Sequence, residues 1–205
     1  IALPANATRH VQVLRLQPGD AVALFQGGLP SESEPSPMAD PGWFDATITH
    51  MGRSEARVRI GQHHAAVPTA HPRVHIACGV PANERMDWLV EKATELGAAS
   101  IQPLMTERSV LRLKGERADK KQAHWQAVAV AACEQCGRTA VPWVRPTTTL
   151  NDFLAQHPLQ AQATQGGVLS LRPQSRTLPS FFIPDKNSSA TRTVWLLSGP
   201  EGGLS

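Results

Sequence analysis

The chain has 205 residues, of which 41% are hydrophobic and 18% charged, and its formal net charge is +3. This is the composition of an ordinary globular protein, and it excludes collagen-like, coiled-coil and wholly disordered chains. No run of about 18 apolar residues is present, so no transmembrane helix is expected. The mildly basic charge does not by itself indicate a nucleic-acid-binding protein.

Three cysteines, an odd number, argue against a disulfide framework. We therefore expect a reducing compartment, the cytoplasm. The chain begins with Ile1 rather than Met and stops at Gly202-Gly203-Leu204-Ser205, and we expect it to be a fragment of a longer protein.

Residues 1–67 have the pattern of a small β-rich module. The turn pattern Pro18-Gly19-Asp20 and the alternation of apolar and polar residues predict three strands. They are Ala21–Phe25, Trp43–Met51 and Glu55–Ile60. Between the first two, Gly27–Gly42 is rich in Pro, Ser, Gly and acids and is predicted to be a long, mobile hairpin insertion.

Residues 73–205 alternate strands with helices, after a predicted linker at Val67–Pro72. The apolar runs predict strands at Val74–Gly79, Ile101–Leu104, Val168–Leu171 and Val194–Ser198. Such alternation is typical of an α/β domain with a largely parallel sheet.

Two amphipathic helices are predicted between these strands. The first is capped by Asn83 and ended by Gly97, and the second spans Lys120–Cys136. The side chains predicted to share a buried face are Met86, Leu89, Val90, Ala93 and Leu96 in the first helix, and Trp125, Val128, Ala129, Ala132 and Cys136 in the second.

A glycine-rich segment, Ser198-Gly199-Pro200-Glu201-Gly202-Gly203, directly follows a predicted strand. Ligands of open α/β sheets bind beyond the carboxyl ends of strands, and glycines let the backbone approach them closely. A simple tight turn explains the segment equally well. It lacks the Lys-Ser/Thr of a P-loop and the spacing of a dinucleotide fingerprint, so ATP and NAD are poorly supported.

Cys133 and Cys136 form a C-x-x-C near the end of the second predicted helix. There is no second pair and no nearby histidine to complete a zinc site, so core packing is favoured over metal binding. We expect no bound metal and no structural disulfide between them.

Basic residues cluster at 107–121, where six basic side chains stand against three acidic ones. The candidates for phosphate contact are Arg108, Arg112, Lys114, Arg117, Lys120 and Lys121. A solvated protein surface is the alternative. Two roles are open for Arg138, buried pairing or contact with a ligand, and His10 and Arg15 are either surface residues or RNA contacts.

Four motifs in order then resemble a known family: Thr94–Gly97, Pro103–Ser109, Ala132–Arg138 and Gly199–Ser205. Together with His10–Arg15 they are similar to the bacterial 16S ribosomal RNA uridine-N3 methyltransferase family, within the SPOUT superfamily of knotted methyltransferases. The resemblance covers essentially the whole chain.

The resemblance implies a PUA-like β-barrel at residues 1–67 that helps hold RNA, and a SPOUT methyltransferase domain at 73–205 that binds S-adenosylmethionine and forms a homodimer. The implied product is 3-methyluridine in 16S ribosomal RNA, within the assembled small subunit. The family continues for a few tens of residues past the glycine-rich segment, with a tail that closes the knot. That tail is absent here, and the 27–42 insertion is larger than the family's hairpin.

The resemblance also implies roles for particular residues. The cofactor would be bound by Leu171, Ser198, Gly199, Pro200, Glu201, Gly202 and Gly203. From the clustering of cations and from the first module, the candidate RNA contacts are His10, Arg15, Arg108, Arg112, Lys114, Lys120 and Lys121. At Arg172 the family often has a histidine, so this chain departs from the pattern there.

The chemistry of the implied reaction sets what the site must do. Methyl transfer to uridine N3 is an in-line displacement that needs the reactants held in near-attack geometry. N3 carries a proton and is a poor nucleophile until that proton leaves, so a base or a nearby positive charge is required. Arg138 is the candidate anion stabiliser, and the base must be unstacked to reach the cofactor.

Two further functions stay open from the sequence. One is a non-catalytic RNA-binding or ribosome-assembly module that uses the same basic residues. The other is a SPOUT methyltransferase that acts on transfer RNA.

Overall fold

The computed structural model describes residues 1–25, 42–66, 72–82, 85–109, 112–157, 164–170, 172–175, 177, 193–200 and 203. Its elements in chain order are α1 (Ala5–Val13), β1 (Ala21–Leu24), β2 (Trp43–Met51), β3 (Ala56–His64), β4 (Arg73–Gly79), α2 (Arg85–Glu95), β5 (Ser100–Met105), α3 (Glu116–Cys136), β6 (Trp143–Val144), β7 (Thr148–Thr149), α4 (Leu150–Gln156), β8 (Thr164–Val168) and β9 (Thr193–Ser198).

The first sheet is antiparallel with the strand order β1-β2-β3. Alternate residues of these strands, such as Ala46, Ile48 and Val58, are buried together with Val11 of α1. The three predicted strands are confirmed, although β3 begins at Ala56 and continues to His64. The sequence reasoning missed helix α1.

The second sheet is parallel, with the strand order β6-β5-β4-β9-β8 and with β7 paired to β5. The expected mixed α/β fold with a parallel sheet is thus confirmed. Helices α2 and α3 pack on one face of the sheet, around the fully buried Trp125, Ile101 and Val144. The short helix α4 covers the other face, where Phe153 packs against Trp195.

Two helical predictions are wrong in detail. Leu96 lies past the end of α2 and is 87% exposed, because Gly97 (φ +96°) turns the chain away there. Helix α3 begins at Glu116, four residues before the predicted Lys120. Its buried cysteine is Cys133, whereas Cys136, the last residue of α3, is exposed.

The strand predicted at Val168–Leu171 lies four residues earlier, at Thr164–Val168. Gly166 and Gly167 resemble a loop in the sequence, but they pair with Trp195 and Leu196 of β9. Other predictions concern residues outside the described part of the chain: the insertion apart from Gly42, the linker apart from Pro72, and the Asn83 cap. Within the described residues, no helix is long and apolar enough to cross a membrane.

Candidate functional site

Three central strands of the parallel sheet end at the same level. Gly79 of β4 lies opposite Leu104 of β5, and Cys78 lies opposite Ser198 of β9. The chain leaving β9 crosses the end of β4 so closely that a Cβ on Gly79 would lie 2.3 Å from Pro200 Cδ and 2.7 Å from Pro200 N. Only glycine fits at residue 79, so this crossing holds the glycine-rich segment against the strand ends.

The segment after β5 is held by a pair of buried hydroxyl groups. Ser109 Oγ accepts a hydrogen bond from Thr106 N at 3.0 Å and lies 3.1 Å from Thr106 Oγ1. Thr106 Cγ2 would lie 3.2 Å from a Cβ on Gly79, so this turn also borders the crossing. Sequence reasoning missed Gly79, Thr106 and Ser109 as site residues, although the last two belong to one of the motifs that carried the resemblance.

The glycine-rich segment does form a tight turn, in which Gly203 N donates to Pro200 O at 2.9 Å and Gly203 has a φ of +89°. Pro200 is buried and Gly199 is half-buried, while Ser198 Oγ donates to the Gly199 carbonyl at 3.2 Å. The turn and the ligand-site interpretations are therefore compatible. Leu171, Glu201 and Gly202 lie outside the described residues.

Around this crossing the described side chains are small or hydroxylic: Gly79, Thr106, Ser198 and Gly199. A ligand beside the crossing would meet the half-buried Ser198 and Gly199. Such an edge is chemically suited to a nucleoside-like ligand that is recognised through the main chain.

Three of the predicted cationic residues lie beyond the end of β5, at this same edge of the sheet. Arg108, Arg112 and Lys114 are all exposed, and Arg112 Nη2 donates to the Glu107 carbonyl at 3.2 Å. The structure brings these cations to the edge that carries the glycine-rich segment. Their positive charge is available to a polyanion there.

The other cations of the cluster lie on the first turns of α3. Lys120 Nζ lies 3.2 Å from Glu116 Oε2, in an exposed i,i+4 ion pair, while Arg117 is exposed and Lys121 is half-buried. An exposed pair of this kind contributes little to folding stability and leaves the lysine near the surface.

Arg138 lies at the opposite edge of the same sheet. Its guanidinium donates to the Thr94 carbonyl at the end of α2 and to the Ala98 carbonyl at 3.3 Å. Both carbonyls belong to the connection that leads into the amino end of β5. The six residues of β5 span about 20 Å, so within one chain Arg138 is remote from the glycine-rich segment.

His10 and Arg15 of the first module join neither the glycine-rich segment nor the cations beyond β5. His10 Nδ1 lies 3.2 Å from Glu134 Oε2, which links α1 to the end of α3. Arg15 is exposed and adopts a left-handed backbone conformation with φ +56°. Arg172 is also exposed, four residues beyond the end of β8.

The face of the sheet that packs on α4 carries a polar and aromatic cluster that sequence reasoning missed. His75 is buried, stacks on Trp195 with ring centroids 4.7 Å apart, and its Nδ1 lies 2.6 Å from Ser100 Oγ. Burial, reinforced by the charge of Arg145, lowers the pKa of His75 to about 4. Arg145 lies over the rings of Trp143 and Trp195, and its buried Nε has no hydrogen-bond partner among the residues that the structure describes.

The cysteine pair does not share one environment. Cys133 Sγ lies 3.7 Å from the Ala140 carbonyl in the core, whereas Cys136 is exposed, and none of the three cysteines forms a disulfide. Within the ranges described above, no group of three or more His, Cys, Asp or Glu side chains is arranged to hold a metal ion.

Residues 69–205 match the family model described as an RNA methyltransferase domain. Curated relatives called ribosomal RNA small subunit methyltransferase E match as well. The Bacillus subtilis protein is 31% identical over 140 residues, 64% of this chain and 51% of the relative. The Synechocystis protein is 27% identical over 195 residues, 94% of this chain and 56% of the relative. The chain thus spans little more than half the length of these relatives.

Solved structures share the fold over the whole chain. A ribosomal RNA small subunit methyltransferase E from Neisseria gonorrhoeae, bound to S-adenosyl methionine, is 29% identical with a TM-score of 0.77. A putative methyltransferase from Legionella pneumophila, in complex with the same cofactor, is 30% identical with a TM-score of 0.80. In each case the match covers 100% of this chain and 76% of the other.

Proposed function

This chain belongs to the RNA methyltransferase domain family, and from that premise we propose that it transfers a methyl group from S-adenosylmethionine to N3 of a uridine in 16S ribosomal RNA. The observation that carries the proposal is the crossing of Pro200 over Gly79, with exposed cations at the same edge. In this proposal the chain has a PUA-like module at 1–67 and a SPOUT domain at 73–205, and it acts in the cytoplasm.

The cofactor site is proposed at the glycine-rich segment. Ser198, Gly199, Pro200 and Gly203 would hold the cofactor through their backbone groups, together with Leu171, Glu201 and Gly202. The close crossing of Pro200 over Gly79 supports this, because it holds the glycine-rich segment at the strand ends, where ligands of open α/β sheets bind. When bound, S-adenosylmethionine supplies an electrophilic methyl group on a positively charged sulfur.

The residues of the chain contribute position and charge to the reaction. The Thr106–Ser109 turn is fixed by its own hydrogen bonds and borders the crossing, and an ordered site favours in-line approach of the target nitrogen. The N3 proton must leave before attack, and nearby guanidinium or ammonium groups stabilise the uridine anion that results. Arg108 and Arg112 are cations of this chain beyond the end of β5, at the proposed cofactor edge.

RNA is proposed to lie along the cations beyond β5. Arg108, Arg112 and Lys114 would contact phosphates, and Lys120 and Lys121 would extend this contact along α3. His10 and Arg15 would add contacts from the first module. Phosphate contacts of this kind position the RNA without reading its sequence, so the choice of one uridine would come from the shape of the assembled small subunit.

A homodimer is proposed, because only in a dimer could Arg138 take part in the reaction. Within one chain the length of β5, about 20 Å, separates the edge that carries Arg138 from the edge that carries the glycine-rich segment, so Arg138 would stabilise the uridine anion only from a two-fold partner. Trp88 on α2 is 65% exposed and Leu96 is 87% exposed, and apolar side chains of this size at the surface favour an interface between copies.

The reaction is tested by mass spectrometry of ribosomal RNA. A bacterial strain that lacks its own 3-methyluridine activity is complemented with the full-length protein or with its Gly79→Val variant. We expect one methylated uridine in 16S RNA to return only with the wild-type protein. Methylation of transfer RNA instead, or RNA binding without any methylation, would replace the proposal by one of the two other functions.

The dimer is tested by mixing two inactive variants, Arg138→Ala and Gly79→Val. In a mixed two-fold dimer one of the two composite sites has an intact cofactor segment and an intact Arg138, so about a quarter of the wild-type activity should return. A mixture as inactive as its components would exclude a role for Arg138 across the interface.

A further inference from the structure

The three-stranded sheet of the first module has one face turned away from its core. The core face carries Ala46 and Ile48, and the strand alternation places Thr47 and its neighbour Arg59 on the outer face. Next to them on β1 are only alanines, of which Ala21 lies opposite Thr47. The outer face therefore carries small side chains on β1, an edge strand of the sheet.

A stacked aromatic pair lies at one end of this face. The rings of Trp43 and His64 are parallel within 14°, with centroids 4.1 Å apart. His64 Nε2 lies 2.8 Å from Asp45 Oδ2, which fixes the histidine ring. A Cβ on Gly42, which has φ +80°, would lie 2.0 Å from the His64 carbonyl, so glycine is required where the two strands approach. The pair is thus already in place before any ligand binds.

The face carries two arginines, Arg57 and Arg59, and two carboxylates, Asp45 and Glu55. Its carboxylates are already paired: Asp45 with His64, and Glu55 with Arg57 at 2.6 Å. The Arg59 side chain is exposed and forms no hydrogen bond or ion pair with any residue in the described part of the chain. Arg59 lies opposite Thr47, four residues along β2 from Trp43, or about 13 Å.

A stacked aromatic pair and an exposed arginine on the same face of a sheet are features by which proteins bind single-stranded nucleic acid. We propose that this outer face binds a single-stranded RNA segment, with a base stacked on the Trp43–His64 pair and a phosphate bound by Arg59. The inference rests on the proposed function and extends it to residues other than His10 and Arg15.

The test measures binding of a fluorescently labelled twelve-nucleotide oligouridine to the full chain by anisotropy, without cofactor. Because stacking on an aromatic ring contributes about 1–3 kcal/mol per base, Trp43→Leu should weaken binding about tenfold, and Trp43→Phe should retain most of the affinity. Arg59→Gln should lower the slope of log affinity against log salt by about 0.7, the value for one phosphate contact of a single strand.

The matched control is Arg73→Gln, which removes one exposed positive charge at the start of β4, in the second sheet. Its affinity and salt slope should equal those of the wild-type chain. Thermal unfolding of every variant checks the fold, and the milder Trp43→Phe and Arg59→Gln variants still test the proposal if Trp43→Leu does not fold.

Unchanged oligouridine binding by Trp43→Leu and Arg59→Gln would overturn the inference, and so would an equal loss in Arg73→Gln or no binding by the wild-type chain. The methylation assay is read separately. A chain with altered Trp43 that binds oligouridine normally and still methylates 16S RNA would refute this surface and leave the proposed function standing.

Discussion

The two edges of the parallel sheet use similar residues for different purposes. At the amino-terminal edge Gly97 ends α2, and the Arg138 guanidinium satisfies the carbonyls of Thr94 and Ala98. At the carboxyl-terminal edge Gly79 leaves space for Pro200 in the chain that follows β9, and Arg108 is exposed. At the amino-terminal edge, glycine thus ends a helix and arginine binds its last carbonyls. At the carboxyl-terminal edge, glycine allows a close backbone crossing and arginine is exposed to solvent.

The comparison predicts that glycine is replaceable at one edge and not at the other. Gly79→Ala places a Cβ into Pro200 and can fold only if the glycine-rich segment moves off the strand ends. We expect affinity for S-adenosylmethionine to fall by at least about a hundredfold, or about 3 kcal/mol, in calorimetry.

Gly97→Ala is the control, because no atom lies within 4 Å of its Cβ although its φ is +96°. It should cost about 1 kcal/mol of folding stability and leave cofactor affinity unchanged. Equal cofactor affinity in both variants would show that the crossing at Gly79 does not form the site.

The next largest effect concerns pH and the buried His75. Its pKa is about 4 in the folded chain, against an ordinary value of 6.5, because burial and the charges of Arg145, Arg73 and His157 disfavour its protonation. Between these values the unfolded chain binds more protons, so stability rises with pH across this window. We expect a loss of up to about 3 kcal/mol as pH falls from about 6.5 to 4.

Urea unfolding across this range measures the effect, with His75→Gln as the comparison. The burial that lowers the pKa of His157 adds to the same trend, so the variant should show a weaker pH dependence rather than none. A variant with the full wild-type dependence would assign it to other groups.

The next largest effect on the free energy of unfolding is expected for Arg138. Removing its hydrogen bonds to the Thr94 and Ala98 carbonyls in Arg138→Met should lower the free energy of unfolding by about 2 kcal/mol, as expected for bonds from a charged donor. Arg108→Met, at the other edge, should change it by less than about 0.5 kcal/mol. If the two variants proved equally stable, the contrast between the edges would fail for arginine.

The sequence predicted the parts of the fold that follow from local periodicity. The strands Trp43–Met51 and Val74–Gly79 are long apolar or alternating runs, and Gly97 ends its helix as expected. Helix α1 was missed because its apolar residues are few and Val13 is 71% exposed. β8 was misplaced because its glycines are strand residues only through their pairing with β9.

The candidate site was predicted in part for the same reason. The glycine-rich segment and the basic run near Arg108 are local patterns, and parallel topology brings their strand ends to one edge. The need for glycine at residue 79 depends on Pro200, which is 121 residues away in sequence, and no local pattern reports such a contact. The position of Arg138 likewise depends on where α2 ends.

We expect the smallest effect on stability from the triple variant Arg108→Ala, Arg112→Ala, Lys114→Ala. The same variant is the most specific test of the carboxyl-terminal edge. These side chains are exposed, so the free energy of unfolding should change little. If each contacts one RNA phosphate, their loss should lower the slope of log affinity against log salt by about two, at 0.7–0.9 per contact. Lys120→Gln, whose lysine is paired with Glu116, should lower the slope by less than one contact. An unchanged slope in the triple variant would mean that these cations only solvate the protein surface, and the two edges would then differ in backbone geometry alone.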